Sequence, residues 1–466
     1  MLQLKAIQED EPSAWLPQLA AQAGPLFLQI ADALQQAVED GRLKPGDRLP
    51  PQRRLAARLD VDLTTVTRAY DEARRRNLLV GRGARGTYIA APKVELASVL
   101  DLSMNTPPPP DGVDFDDLLK QGLSQVLMGM DNGLLMTYHL GGGSASDRKA
   151  GSRWIEPMFG SVQPAHVVVC PGAQAAIAAL ILALTEPGDV ILAEPTSYPG
   201  MCAAATQFGR RVLPVRTDKH GMVPEAFEEA CRLHAPPLVY LNPTLQNPTT
   251  ATMPESRRKE LAAAAKRWDV RIVEDDPYWL LAEAPPPPIA TFAPDHVYYI
   301  STLSKCLTPG LRVAFVLVRD PLERKRILVA LRSFALMVAP LTAALATQWI
   351  LDGSADRLME GVRKEARLRH RMARDILAGR YGGAGDGLHV WLELPVYWNS
   401  LQLARAADRE GLAVTPAEAF ATGTESVNAI RISLGCIKDR ARLQAGLQRL
   451  SGLLARRPES VSDGVV

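Results

Sequence analysis

Ser301-Thr302-Leu303-Ser304-Lys305-Cys306-Leu307-Thr308-Pro309-Gly310-Leu311-Arg312 lies between two apolar runs, at 297–300 and 313–318. Runs of this kind, bounded by Ser, Thr, Pro and Gly, read as strands, which puts the lysine on a connecting loop. Hydroxyls stand one and three residues before it and an arginine seven after. The loop offers an amine for an imine and several donors for a phosphate, so it suits an aldehyde cofactor. The competing reading is an ordinary lysine on a surface loop, and the flanking sequence separates the two.

Upstream, β-branched runs at 167–170, 190–193, 212–215, 238–241 and 270–274 alternate with helical stretches such as 173–184 and 254–268. That alternation predicts an α/β domain with a mostly parallel sheet, whose ligands bind at the strand C-termini. Polar residues of the right kinds follow those strands. Pro171-Gly172-Ala173-Gln174 turns directly into a helix, so the Ala173 and Gln174 amides offer a phosphate site. Tyr198, after the second strand, can stack on a planar ring. Asn247, in Asn242-Pro243-Thr244-Leu245-Gln246-Asn247-Pro248-Thr249, can donate to a phenolate oxygen.

Glu274-Asp275-Asp276-Pro277-Tyr278 ends another strand with carboxylates and a phenol. Pyridoxal chemistry needs a protonated ring nitrogen, which an adjacent aspartate stabilises, and Asp275 is the candidate. Asn247 and Tyr278 are candidate donors to the ring hydroxyl, while Arg312, Thr302, Ser304 and the Ala173 and Gln174 amides would hold the phosphate. Lys305 would form the imine and later shuttle a proton. Arg431, in the apolar run Ala429-Ile430-Arg431-Ile432-Ser433-Leu434-Gly435, reads either as half of a structural ion pair or as a clamp for a substrate carboxylate.

In order and spacing these pieces resemble the fold-type I aminotransferases of class I/II, over about residues 99–455. The resemblance implies pyridoxal 5'-phosphate held by Lys305 as an internal aldimine, with Asp275 on the ring nitrogen and Asn247 and Tyr278 on the ring oxygen. It likewise implies Arg312 on the phosphate, Arg431 on a substrate carboxylate and Tyr198 stacked on the ring. Tyr138, in Tyr138-His139-Leu140-Gly141, resembles the tyrosine that reaches the neighbouring subunit's phosphate, which implies a homodimer with shared sites. A large domain over about 112–339 and a small one over about 340–455, closing over substrate, are expected. Thr250 and Ala314 depart from the pattern, since glycine is usual at both places.

The N-terminal part carries a different charge. Between residues 41 and 92 twelve basic residues face five acidic ones, a net of +7, whereas the whole chain is only +2. Such asymmetry points to a polyanion partner for this segment. Phe27, Ile30, Ala31, Leu34, Ala37 and Val38 recur at helical spacing, and Pro51 can open a second helix. A third helix runs over about 62–76 with Asp62 as N-cap. Its Thr64, Thr65, Thr67 and Arg68 can reach phosphates and base edges. Strands at 78–80 and 87–90 then form a hairpin whose tip carries Arg82 and Arg85. Helices followed by a basic hairpin predict a winged helix-turn-helix.

Gly41-Arg42-Leu43-Lys44-Pro45-Gly46-Asp47-Arg48-Leu49-Pro50, Arg53-Arg54-Leu55-Ala56, Thr65-Val66-Thr67-Arg68-Ala69-Tyr70 and Gly86-Thr87 resemble the DNA-binding domain of GntR-type bacterial regulators. This implies a double-stranded DNA operator, and adds Arg53 to the expected contacts. The predicted fold class is therefore multidomain, a small α+β winged helix-turn-helix at 24–90 followed by an α/β fold-type I aminotransferase-like body. An N-terminal extension (1–23), a short linker (91–98) and a disordered tail (456–466) complete it.

Hydrophobic residues at 47% and charged residues at 22% are ordinary for a soluble globular chain. No leader, membrane span or metal-ligand spacing is evident, and five scattered cysteines read as buried thiols, so a cytoplasmic protein without a metal is expected. A GntR-type reader ahead of an aminotransferase-like body resembles the MocR subfamily of regulators. That implies a transcriptional regulator whose body senses pyridoxal phosphate, an amino compound, or both. A working aminotransferase with a DNA-binding arm, converting an amino acid to a 2-oxo acid, is the alternative. A third reading leaves Lys305 idle in a dimerisation scaffold.

Overall fold

A computed structural model describes residues 15–17, 19, 24–76, 78–81, 86–90, 100–129, 133, 136–377, 385–424 and 426–458. Arg82, Arg85, the 91–98 linker, most of the N-terminal extension and most of the tail lie outside the described residues. The chain divides into two compact units, Met1–Ser98 and Val99–Val466.

In the first unit, helices Leu26–Glu39, Gln52–Leu59 and Leu63–Arg75 precede an antiparallel hairpin of Leu79–Gly81 and Thr87–Ile89. Asp62 caps the third helix, its carboxylate accepting from the Thr64 amide at 2.7 Å. The second helix follows Pro51, and Asp60 closes it in the left-handed region at φ 52°. Leu49 donates its amide to Thr87 and Ile89 donates to Asp47, so the turn after Gly46 lies along the hairpin. Ile30, Leu34, Leu55, Val66, Tyr70, Leu79 and Ile89 form a shared core. Each such side chain contributes roughly 1.5–3 kcal/mol by leaving water. The Tyr70 hydroxyl, buried with them, donates to the Pro50 carbonyl at 2.8 Å.

The second unit is built on a seven-stranded sheet. Its order is Val167–Cys170, Ala314–Leu317, Val297–Thr302, Arg271–Asp275, Leu238–Leu241, Val190–Ala193 and Arg211–Pro214. All neighbours run parallel except around Ala314–Leu317, which is antiparallel to both of its own. Alternate residues feed two cores, Val167 and Val169 on one face and Val168 and Cys170 on the other. A sheet covered on both faces explains why its strands read as unbroken apolar runs rather than alternating ones.

A three-stranded antiparallel sheet of His389–Glu393, Ala429–Ser433 and Thr415–Pro416 centres a smaller core. The expected division at 340 does not follow the packing. Trp349 and Ile350, on helix Pro340–Leu351, belong to the large core. Helix Ser354–Ile376 spans both, with Leu358 and Val362 in the large core and Ala373 in the small. Leu100–Asp101 pairs with Leu412–Ala413, so the first described residues after 98 belong to the small core.

Candidate functional site

At the C-terminal ends of the central strands lies a cavity of about 550 Å³. Ala173, Gln174, Tyr198, Asn247, Asp275, Tyr278, Thr302, Ser304, Lys305, Arg312 and Arg431, each singled out from the sequence, all line it. Asp275 and Thr302 are the last residues of their strands, and Ala173 opens the helix after a third.

Lys305 sits not on an open loop but on a one-turn helix, Leu303–Cys306, capped by Thr302. Its Nζ donates to the Asn105 carbonyl. Burial, reinforced by Arg431 and Arg312 and opposed by Asp275, pushes its pKa down to about 8. An amine held there loses its proton far more readily than a surface lysine. Cys306 next to it is a packed thiol, pushed up to about 12 by burial.

Asp275 is raised to about 6 by burial, against the Tyr240 hydrogen bond and the charge of Lys305. It is therefore an anion at neutral pH. The Tyr240 hydroxyl donates to its Oδ2 at 2.7 Å, while its Oδ1 is buried with no hydrogen-bond partner. A buried carboxylate oxygen without a donor is costly, and a protonated ring nitrogen in the cavity would supply one. Asn242 joins Asp275 to the next segment, donating to the Asp275 carbonyl at 2.6 Å and accepting from the Asn247 amide at 2.7 Å.

Arg431 has no carboxylate partner among the described residues, so the ion-pair reading lacks its second half. Its guanidinium donates to Asn247 Oδ1 at 2.7 Å and to the Ser103 carbonyl at 2.5 Å, and lies 4.8 Å from the Phe420 ring centre. Its Nε is buried without a partner. Because Asn247 Oδ1 accepts from Arg431, its Nδ2 remains as the donor.

At the opposite end, a Cβ on Gly172 would come within 2.8 Å of the Arg312 guanidinium. Only glycine, here at φ 88°, brings the start of helix Ala173–Leu184 so close to an arginine. Free helix amides and a guanidinium together make a phosphate cradle. The Thr302 hydroxyl is within reach of Ser304 Oγ and the Val313 carbonyl, and both hydroxyl residues line the cavity. The donor set thus fits a planar, phosphorylated ring with a basic nitrogen at one edge.

Tyr138 does not line this cavity; it is 73% exposed. Thr250 takes φ 64°, a region that costs a β-branched residue about 1–2 kcal/mol and explains why glycine is usual there. Ala314 is fully buried, paired with Thr302 on one neighbouring strand and Cys170 on the other.

Sequence reasoning missed Tyr240, Asn242, Asn105 and Phe420. Tyr240 had one signal, a phenol within an apolar strand. Parallel pairing sets it beside Val273 and hence on the face of Asp275. Asn105 is 173 residues from the tyrosine it bonds.

In the first unit Arg53, Thr64 and Arg68 are exposed, while Thr65 and Thr67 are half-buried. Thr67 is turned inward, its hydroxyl within 3.0 Å of Gln52 Oε1 and of the Leu63 carbonyl. Arg68 stacks 4.1 Å over the Phe27 ring.

Residues 98–450 match the aminotransferase class I and II family, and residues 26–89 match the gntR family of bacterial regulatory proteins. An uncharacterized HTH-type transcriptional regulator of Bacillus subtilis, YdeF, is 31% identical over 96% of this chain and 98% of its own length. The vitamin B6 salvage pathway transcriptional repressor PtsJ of Salmonella typhimurium is 27% identical over 88% of this chain and 94% of its own. Among solved structures, the α-aminoadipate aminotransferase LysN of Thermus thermophilus, complexed with a phosphopyridoxyl-leucine, superposes with a TM-score of 0.69. It is 28% identical and covers 77% of this chain and 92% of that one.

Proposed function

Because the chain belongs to the aminotransferase class I and II family and carries a gntR-family domain ahead of it, we propose that it is a DNA-binding transcriptional regulator whose body binds pyridoxal 5'-phosphate on Lys305. The body then responds to the cofactor, to an amino compound, or to both. The observation that carries this reading is the pairing of a buried lysine of lowered proton affinity with an aspartate whose Oδ1 lacks a donor.

When bound, the cofactor supplies an aldehyde that captures amines and a ring that withdraws electrons from them. Lys305 supplies the attaching amine and holds the proton at Nζ. Asp275 keeps the ring-nitrogen proton in place, Asn247 and Tyr278 donate to the ring oxygen, and Tyr198 covers the ring face. Thr302, Ser304, Arg312 and the Ala173 and Gln174 amides hold the phosphate. Arg431 binds the carboxylate of the amino compound, with Phe420 excluding water beneath its guanidinium. Such a ligand shifts DNA affinity only by binding two arrangements of the chain unequally.

Lys305 must be neutral to attach the cofactor. Cofactor uptake should accelerate about tenfold per pH unit as pH rises toward 8 and level off above it. Stopped-flow absorbance checks this, and a flat profile between pH 6 and 8 counts against a buried attacking amine.

Arg53, Thr64, Thr65 and Arg68 are proposed to meet DNA, with Arg82 and Arg85 on the wing. Arg53→Ala and Arg68→Ala should each weaken binding to the chain's own upstream DNA about tenfold and lower the salt slope by about one. Cofactor uptake should not change. Arg68 also packs on Phe27, so Arg53→Ala separates loss of charge from loss of packing. Unchanged affinity in both would move the reading surface elsewhere.

A homodimer with shared sites also belongs to this proposal. Exposed Leu127, Met128, Met136 and Tyr138 support it, as apolar groups at one segment that a second copy would cover. The place of action proposed is the cytoplasm, which suits a DNA target and five free cysteines.

A further inference from the structure

Tyr278, Asn105 and His389 come from three distant segments and meet beside the cavity, each at most 7% exposed. Asn105 Nδ2 lies 2.8 Å from the Tyr278 hydroxyl and 3.1 Å from His389 Nδ1, and His389 Nε2 lies 3.4 Å from the Gln246 carbonyl. The segment that carries Asn105 is fixed by close packing, since a Cβ on Gly435 would fall 1.8 Å from the Thr106 carbonyl oxygen.

The contacts order themselves from the histidine outward. Burial, with Arg431 adding to it, keeps His389 neutral, so it carries one ring proton. The Gln246 carbonyl can only accept, which places that proton on Nε2 and leaves Nδ1 a bare acceptor. Nδ1 therefore requires the amide nitrogen of Asn105, not its oxygen. With the amide fixed that way, the Tyr278 hydroxyl accepts from Asn105 and keeps its own proton, for which no acceptor is recorded among the described residues. A reversed amide would consume that proton at Oδ1, which is instead buried without a partner.

Resting on the proposed binding of pyridoxal phosphate, we infer that His389 and Asn105 form a positioning relay that holds the Tyr278 hydroxyl as a donor into the cavity, toward the cofactor's ring oxygen. His389 itself does not line the cavity. It acts through Asn105, and Asn105 acts through Tyr278.

The test is a pH titration of the visible absorbance of the full-length chain loaded with pyridoxal phosphate. A donor to the ring oxygen favours the more negative, deprotonated form of the Lys305-bound cofactor, so losing it moves the midpoint to higher pH. Tyr278→Phe should raise the midpoint by about one pH unit, the size of one hydrogen bond to a charged group. His389→Leu and Asn105→Leu should move it the same way by at least about half as much. His389→Leu added to Tyr278→Phe should give no further shift. Arg431, Asp275, Tyr198 and Cys306, the other groups facing Tyr278, and His370 and Lys305 beside His389 stay unchanged throughout.

A role in packing alone would lower stability and cofactor affinity without moving the midpoint. Wild-type midpoints in both leucine variants, with the cofactor bound, overturn the relay and leave the cofactor reading standing. A His389→Leu shift that persists undiminished in the Tyr278→Phe background overturns it too. If His389→Leu does not fold, Asn105→Leu decides alone. A wild-type chain that takes up no cofactor overturns both readings together.

Discussion

Replacing Lys305 with alanine is expected to abolish covalent retention of pyridoxal phosphate while leaving DNA binding by the cofactor-free chain measurable. Lys305 is the one lysine lining the cavity among the described residues. Its nitrogen is delivered by the strand Val297–Thr302 and the short helix that follows, and its amine is partly neutral at physiological pH because burial pushes its pKa down to about 8. No neighbouring side chain can replace it, since the arginines stay charged and cannot attack. Borohydride fixation followed by peptide mass measurement should label the Lys305 peptide fully in the wild type and nothing in the variant. Label surviving in the variant would place the attachment elsewhere. Residual affinity held by Thr302, Ser304, Arg312 and the Ala173 and Gln174 amides should leave the cofactor bound but removable by dialysis.

Asp275→Asn should weaken cofactor binding about a hundredfold or more, the loss expected when one member of a buried charge pair goes. The carboxylate of Asp275 is buried, is braced at Oδ2 by Tyr240, and presents Oδ1 with no donor. An amide of the same shape keeps the packing but removes the charge. It also sets a neutral group where a protonated ring nitrogen would lie. Tyr240→Phe should cost less, about tenfold, because it removes one hydrogen bond and leaves the charge in place. Equilibrium dialysis with the cofactor separates these sizes. Equal affinities for wild type and Asp275→Asn would mean that the ring nitrogen does not face this residue.

Much of the site was legible in the sequence because the sheet delivers it. Strands that read as apolar runs end in Asp275 and Thr302, and ligand groups in such folds follow strand ends. The helix Leu63–Arg75 was legible for a local reason, the Asp62 cap and the inward spacing of Val66, Ala69, Tyr70 and Ala73. Neither inference needed contacts remote in sequence.

What sequence reasoning missed depends on such contacts. Tyr240 braces Asp275 only because of the register between two parallel strands. Asn105 and Ser103 touch Lys305 and Arg431 from 200 and 328 residues away. The border between the two cores was not legible, because a helix pattern says that one face is buried but not which core buries it. Helix Pro340–Leu351 satisfies its apolar face against the large core, and helix Ser354–Ile376 is long enough to serve both.

Coupling between the two units is the claim on which regulation rests, and a DNA titration at fixed salt addresses it most directly. The full-length chain would be titrated with its own upstream DNA in three states: cofactor-free, loaded with pyridoxal phosphate, and loaded in the presence of a panel of amino acids and amines. A cofactor-sensing regulator gives a DNA affinity that changes by about fivefold or more between at least two of these states, and Lys305→Ala removes the cofactor's part of the change. Equal affinities in all three states, with cofactor uptake verified by absorbance, would contradict it.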